Sequence, residues 1–252
     1  MPKNKYVIYT SLTGGYDALP QYEVIDSDFD YICFSNDYPD GSKQGIWTIK
    51  HIPLNEKDNI LSSRYPKLLP HQLLKDYDYS LWLDSNLIIS SSKFYDIIRS
   101  RIDEGGLWYG IKHPLRDCIY EEAQVCVHGA RANFLAARKQ VKFLRAQGYP
   151  AHNGMFENNL ILRKHNETII TYIDDYWWKI FTSYTRRDQL SLFFVFWKYK
   201  YSPKLFFLDD TTTRNSGYIS YRKHGSKSLY ESIKLRSRLW TNRILEKLLT
   251  FE

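Results

Sequence analysis

An apolar run, Tyr79-Ser80-Leu81-Trp82-Leu83, meets the polar triplet Asp84-Ser85-Asn86 and resumes at once as Leu87-Ile88-Ile89. Such a run reads as a strand in the interior of a sheet, and a buried carboxylate without a partner costs several kcal/mol. The Asp and the Asn therefore mark a place where the strand ends on something that they bind. At i and i+2 on a turn their oxygens reach one hard cation, and Mn²⁺ or Mg²⁺ so held bridges the two phosphates of a nucleotide diphosphate. There it acts as a Lewis acid on the leaving group. The plainer reading of the same triplet is an Asx turn without a ligand.

The surrounding pattern is strand, turn, helix, strand. Residues 6–11 form a short apolar, β-branched run ending at Gly14-Gly15, and residues 31–35 form a second run. Helical segments are expected within 58–75, where Pro66 and Pro70 must start, kink or break them. The strand 79–83 follows, then strands at 107–111 and 159–163. A helix over 167–181 carries a core stripe of Ile169, Ile170, Ile173, Tyr176, Trp177 and Ile180. A helix from Asp188, which can cap it, to about Lys200 and a strand at 205–208 complete the order. Residues 112–131 are polar and irregular, and neither they nor 132–150 receive an element. This order predicts a mainly parallel α/β sheet with ligands at the carboxyl ends of its strands.

With 252 residues the chain is near the upper size of one domain. The aromatic content of 16% excludes a disordered protein and suits flat ligands such as sugars or bases. A net charge of +7 points to a polyanionic partner: nucleic acid, an anionic membrane or phosphorylated small molecules. Cys33, Cys118 and Cys126 are odd in number and lack CxxC spacing, so they are expected to be reduced thiols of a cytosolic protein. The polar start runs straight into a strand, so no signal peptide is expected, and no run is long enough to span a membrane. GxSxG, Walker and HExxH patterns are all absent, which counts against hydrolases and P-loop enzymes.

Four segments in order, Tyr9-Thr10-Ser11-Leu12-Thr13-Gly14-Gly15-Tyr16-Asp17, Asp30-Tyr31-Ile32-Cys33-Phe34-Ser35, Arg64-Tyr65-Pro66-Lys67-Leu68-Leu69-Pro70-His71 and Leu81-Trp82-Leu83-Asp84-Ser85-Asn86, carry a resemblance. They resemble the TOD1/MUCI70 glycosyltransferase-like family, with further matches at His113-Pro114, Glu157-Asn158-Asn159 and Arg187-Asp188-Gln189-Leu190-Ser191. The resemblance implies a single GT-A (Rossmann-like) α/β domain over residues 1–225, a nucleotide-sugar donor and a divalent metal at a DxD-like triplet. Here the second carboxylate of that triplet is Asn86, a weaker ligand for a hard cation. The resemblance also implies a histidine metal ligand late in the domain, matched by His224, with Lys227 then meeting the diphosphate. The alternative for both residues is a solvated basic tail.

Thr10, Ser11 and the turn Gly14-Gly15-Tyr16-Asp17 are assigned to the nucleotide, because glycines let backbone N–H groups approach phosphate or ribose. Phe34-Ser35-Asn36-Asp37 is positioned to flank the base, and Ser85 is assigned to the donor. Arg64 and Lys67, three apart, share a helical face and point at base, ribose or phosphate; the competing reading is a surface basic pair. Asp188 is the first candidate for chemistry at the anomeric carbon, against a purely capping role, and Glu157 is the second. His113, Arg116, Tyr120, Glu121, His152 and Asn153 suit the hydroxyls of an acceptor.

The expected reaction is transfer of a hexose or uronic acid from a UDP-sugar to a glycan or lipid-linked acceptor of surface polysaccharide or lipopolysaccharide. Retention of anomeric configuration is implied by the resemblance alone. Residues 226–252 alternate basic and apolar residues as an amphipathic helix suited to an anionic membrane, which implies a peripheral position at the inner membrane face. The rival classes are a nucleic-acid-binding module, which explains the charge but not the triplet, and a sugar-phosphate nucleotidylyltransferase. No nucleic acid partner is expected under the first reading.

Overall fold

The structure is a computed structural model that describes residues 4–15, 18–54, 58–209, 211–222 and 229–251. In chain order its elements are β1 (Tyr6–Ser11), β2 (Phe29–Phe34), β3 (Lys43–Gln44), β4 (Trp47–Lys50), α1 (Asn59–Leu68), α2 (Pro70–Leu73), β5 (Tyr79–Leu83) and β6 (Leu87–Ile89). There follow α3 (Lys93–Asp103), β7 (Trp108–Lys112), α4 (Ile119–His128), α5 (Phe134–Ala146), β8 (Phe156–Arg163) and α6 (Thr168–Ser183). After a one-turn 3-10 helix (Asp188–Leu190) come α7 (Leu192–Lys198), β9 (Lys204–Leu205), β10 (Ile219–Tyr221) and α8 (Leu229–Leu248).

Eight strands form one sheet in the order β3-β4-β2-β1-β5-β8-β7-β9. β1 runs parallel to β2 on one side and to β5 on the other, and β4 continues parallel beyond β2. β8 is antiparallel to β5. The expected fold class, an α/β domain with a mixed, mainly parallel sheet, is therefore borne out. The chain leaves β1 toward one edge and returns on the other side with β5, so strand order reverses between these two strands. Carboxyl ends that flank such a reversal leave a crevice for ligands. Here they carry Ser11 and, one residue past β5, Asp84.

All six residues of β1 except Tyr6, and all five of β5, are buried, as strands covered on both faces must be. α3 contributes Phe94, Tyr95 and Ile98 to the core that these strands share. Trp47 is wedged edge-on against Tyr22 and Tyr31, with ring centroids 5.2 and 6.0 Å apart. Much of the aromatic content is thus core.

Several expectations are corrected. The apolar run after the triplet does not rejoin the sheet: β6 pairs antiparallel with β10 in a separate two-stranded ribbon. The irregular segment contains α4, whose buried face, Ile119, Glu122, Ala123, Cys126 and Val127, includes a carboxylate that breaks the apolar period. α5 follows, capped by Asn133 and with Gln140 in its buried face. Pro66 lies inside α1 without ending it, whereas Pro70 opens α2, as expected of a proline that starts a helix, where its missing N–H costs nothing. The strand expected at 205–208 is only Lys204–Leu205. Asp188 does not cap the next helix; Ser191 is the cap residue of α7, and Asp188 begins the preceding 3-10 turn.

The chain divides into two compact units. The first comprises Met1–Lys112, Glu157–Asp175 and Pro203–Gly225; the second comprises His113–Phe156, Tyr176–Ser202 and Ser226–Glu252. Within the second, Asn242 of α8 donates to the carbonyls of Val127 (2.8 Å) and Ala132 (3.0 Å) and accepts from the Phe134 amide (3.0 Å). Among the described residues no helix is long and apolar enough to cross a membrane.

Candidate active site

At the end of β5 the Asp84 amide donates to the Asn159 carbonyl of β8 at 2.9 Å, and the Leu87 amide closes the turn on the Asp84 carbonyl at 2.9 Å. The Asp84 side chain is thereby fixed at the sheet rim. Its Oδ1 accepts from the Trp82 indole at 2.7 Å and from Lys67 Nζ at 3.2 Å. Lys67 is only 2% exposed, whereas Asp84 is about one third exposed. An ammonium withdrawn from water is costly without a counter-charge, so Asp84 meets a requirement set by Lys67 from beneath. Lys67 Nζ also stands 5.3 Å from the centre of the Trp82 ring, within cation–π range. The second Asp84 oxygen has no hydrogen-bond partner among the described residues.

A network centred on two fully buried charges sets the position of Lys67. Asp58 caps α1 by accepting from the Ile60 and Leu61 amides, both at 3.0 Å. At the other end of that helix the Arg163 guanidinium donates to the Lys67 carbonyl, to the Tyr9 hydroxyl at 2.8 Å and to Asp174 at 2.6 Å. Arg163 and Asp174 are both 0% exposed. Burial pushes the Tyr9 hydroxyl up to about 12, so it stays protonated. His71 of α2 lies 3.1 Å from Asp175 and 3.6 Å from Asp174. Asp174 sits in the buried face of α6 beside Ile170 and Ile173.

β6 brings a further part of the corner. Through its ribbon with β10, Tyr221 pairs with Leu87, and the Arg222 amide donates to the Asn86 carbonyl at 2.8 Å. The Tyr221 hydroxyl bonds Thr213 and accepts from the Asn159 amide at 3.2 Å. Burial raises the Tyr221 pKa, with smaller contributions from the charges on Glu157 and Asp84, so the phenol remains a donor. Glu157 of β8, 8% exposed, is ion-paired with Arg214, whose guanidinium lies 5.4 Å over the Tyr221 ring.

The corner thus combines carboxylates at Asp84 and Glu157 with cations at Lys67 and Arg214. An open carboxylate oxygen and the Asn86 amide fit a hard divalent cation that takes its remaining ligands from water and phosphate. The implied third ligand, His224, and Lys227 lie outside the described residues, as do Tyr16 and Asp17.

Other sequence candidates fall as follows. Thr10 is fully buried, and Ser11, 7% exposed, donates to the Ser63 carbonyl at 2.8 Å. The Gly14 and Gly15 amides, at φ 70° and 60°, donate to the Asp37 carboxylate at 3.2 and 3.0 Å. That nest receives an anion from its own chain. Phe34 and Ser35 are 1% and 0% exposed, and the Phe34 ring packs edge-on against Tyr9. The side chains of that stretch that reach the surface are Asn36 and Asp37, a correction to the expectation that Phe34 flanks a base. Arg64 and Lys67 do share α1, but Lys67 is no surface residue. Ser85 is half-buried on the turn.

Asp188 and the six acceptor candidates belong to the second unit and are described within it. Asp188 is 4% exposed, and its carbonyl accepts from Trp177 Nε1 at 3.0 Å. His113 Nδ1 accepts from the Arg116 amide at 3.0 Å, Arg116 bonds buried Glu122 at 2.5 Å, and Tyr120 donates to the Tyr149 carbonyl at 2.7 Å. Glu121 and His152 face each other, with Asn153 half-buried on the same turn.

Sequence reasoning passed over Trp82, Asn159, Arg163, Asp174, Arg214 and Tyr221. Asp174 and Arg163 carried a usable signal, a charge inside an apolar stripe and a charge ending an apolar strand. Tyr221 and Arg214 carried none, because only the β6–β10 pairing brings them to the triplet.

Residues 24–221 match the sequence profile of the family described as "TOD1/MUCI70, glycosyltransferase-like domain". The chain is similar to the "Probable hexosyltransferase MUCI70" of Arabidopsis thaliana, 25% identical over 162 residues that make up 60% of this chain and 28% of that protein. The chain thus spans little more than a quarter of that relative's length. Among solved structures it is similar to the "WbbM bifunctional glycosytransferase apo structure" at 10% identity, covering 94% of this chain and 44% of that one with a TM-score of 0.43.

Proposed function

Since the chain belongs to the TOD1/MUCI70 glycosyltransferase-like family, we propose that it transfers a hexose or uronic acid from a UDP-sugar to a glycan or lipid-linked acceptor, with retention of anomeric configuration. The observation that carries this reading is the corner at the β1–β5 reversal, where Asp84 is held from beneath by Lys67 and Trp82. A ligand there meets preorganised charge, the largest single contribution in most transfer reactions.

In this reading Asp84 and Asn86 hold Mn²⁺ or Mg²⁺, which when bound offsets charge on the departing diphosphate. Lys67 keeps Asp84 oriented. Arg214, released from or shared with Glu157, binds a phosphate oxygen, and the Tyr221 hydroxyl donates to a donor oxygen. Glu157, the carboxylate of this corner, stabilises positive charge developing on the sugar ring, whereas Asp188, the first candidate from the sequence, belongs to the second unit. Within the second unit His113, Arg116, Tyr120 and Asn153 are the candidates for acceptor hydroxyls, and α8 rests on an anionic membrane surface that carries a lipid-linked acceptor.

Titration of UDP into the purified protein with and without Mn²⁺, followed by thermal unfolding, tests the first step. A rise of several degrees that requires both is expected, since a ligand at 100 times its Kd adds roughly 2.7 kcal/mol. No shift in either condition, or an equal shift in Asp84→Ala, overturns the reading.

A further inference from the structure

The second unit holds a cluster of three side chains of metal-ligating type, two of which the sequence alone had suggested for an acceptor. Cys118 immediately precedes α4, Glu121 follows one turn later, and His152 lies on the turn between α5 and β8. One ligand atom from each lies within 4.8 Å of the other two. Among the described residues this is the one group of three or more His, Cys, Asp or Glu side chains so disposed.

The histidine is oriented as a metal ligand is. Its Nδ1 lies 2.7 Å from Asp117 Oδ1, which directs that N–H at the carboxylate and makes Nε2 the nitrogen available to an ion. Nε2 in turn faces Glu121 Oε1 at 3.6 Å. That distance is too long for a good hydrogen bond, and it is close to the roughly 3.4 Å that separates two ligands on a tetrahedral ion with bonds of about 2.1 Å. A carboxylate behind a histidine is the arrangement that fixes the tautomer and raises the basicity of zinc ligands.

One observation independent of this pair points to the same place. The Cys118 thiol is 2% exposed and has no hydrogen-bond partner among the described residues, yet its sulfur is turned toward the two exposed ligands. His152 is held at φ 54°, a left-handed conformation uncommon outside glycine. The Gly154 amide, donating to the Asp117 carbonyl at 2.9 Å, ties that turn to the start of α4.

We propose that Cys118, Glu121 and His152 bind a zinc ion, with Asp117 as the positioning residue behind His152. A thiolate, an imidazole and a carboxylate together select zinc over the Mn²⁺ or Mg²⁺ that oxygen ligands select. On binding, the thiol gives its proton to solvent. The fourth position opens to water between Glu121 and His152, which are 51% and 58% exposed. The ion fastens the His152 turn to the first turn of α4, and it does so whether or not the chain transfers sugars.

The test is zinc titration of the full chain after chelation under reducing conditions, read by competition with a chromophoric chelator. Cobalt(II) loading then reports sulfur ligation through a thiolate charge-transfer band in the near ultraviolet. One equivalent of zinc is expected with a Kd of about 1 μM or tighter. Cys118→Ser should abolish the cobalt band, and Asp117→Asn should weaken zinc binding by roughly 10- to 100-fold. Cys126→Ser, a thiol elsewhere in the unit, should leave binding unchanged, and circular dichroism of each variant checks that it is folded. Failure of the wild-type chain to bind zinc overturns the proposal. So does binding that survives both Cys118→Ser and His152→Ala in folded protein.

Discussion

Lys67 and Trp82 make a separable pair of contacts to one carboxylate oxygen, and that allows the corner to be dissected. Trp82→Phe removes a 2.7 Å donor while keeping an aromatic ring beside Tyr9, whose own ring lies 5.3 Å away. It should lower stability by only about 1 kcal/mol but weaken UDP binding in the presence of Mn²⁺ by roughly tenfold, as Asp84 loses its orientation. Lys67→Met keeps the apolar stem and deletes the charge. That should raise the Kd for UDP at least tenfold, about 1.4 kcal/mol, and cost about 1–3 kcal/mol of stability because a charge-assisted bond is lost. Calorimetric titration beside urea unfolding of the same samples separates the two effects. If Lys67→Met binds UDP as the parent does, Lys67 serves the fold alone. Asp84 was legible in the sequence because a carboxylate inside an apolar run violates a strong rule. Lys67 was picked out only as half of a basic pair with Arg64; its place against Asp84 was not legible, since that spacing is also that of a solvated helix face, and only the third dimension shows that it points inward.

At the scale of elements, charges and amides inside buried faces explain both what was read correctly and what was missed. The stripe of α6 was recognised through Ile170, Ile173, Trp177 and Ile180, all buried, whereas Glu122 in α4 and Gln140 in α5 broke the apolar period and hid two helices. Such groups are tolerable because they are bonded: Gln140 donates to the Leu190 carbonyl at 2.7 Å and accepts from the Thr185 amide at 3.2 Å. His165, just past β8, is another case, for its Nε2 lies 2.7 Å from the Leu74 carbonyl and ties the end of the strand to the end of α2. Burial lowers its pKa from 6.5 to about 4. Between those values the unfolded chain binds a proton that the folded chain refuses, so the stabilisation is complete above about pH 6.5 and is lost as pH falls through 4. The loss attributable to this one residue is roughly 3 kcal/mol. His165→Gln keeps a donor toward Leu74 but cannot titrate. Its deficit relative to the parent at pH 7 should therefore shrink or reverse at pH 4 in urea unfolding, and parallel curves for the two proteins would show that His165 does not control this window.

On the scale of the whole molecule, the sequence suggested one domain and an appended helix, and it could not foresee that the chain enters each of two compact units three times. Interleaving of this kind leaves no composition shift or linker to read. The expectation for α8 that can be tested is its affinity for an anionic membrane. Asn242, 2% exposed and bonded to three backbone groups of its own unit, fixes which side of the helix faces inward. The opposite face, read at helical spacing, is Ile233, Arg236, Trp240, Arg243 and Lys247, all exposed. Cations flanking an exposed tryptophan and an isoleucine combine electrostatic attraction with an apolar surface that can enter the headgroup region. Deleting α8 would remove Asn242 and Leu245 from the packing of the second unit, so truncation confounds binding with folding. Neutralising Arg236, Arg243 and Lys247 to Gln leaves that packing alone. At about 1 kcal/mol per basic residue near an anionic surface, the triple variant should bind vesicles containing phosphatidylserine on the order of 100-fold more weakly. The parent should release from them as salt rises and the Debye length shortens, and should ignore pure phosphatidylcholine. Trp240→Ser should weaken binding by an amount that salt does not change, because it removes apolar contact and no charge. Equal sedimentation of the parent and the triple variant with the anionic vesicles would leave α8 as packing for its own unit and nothing more.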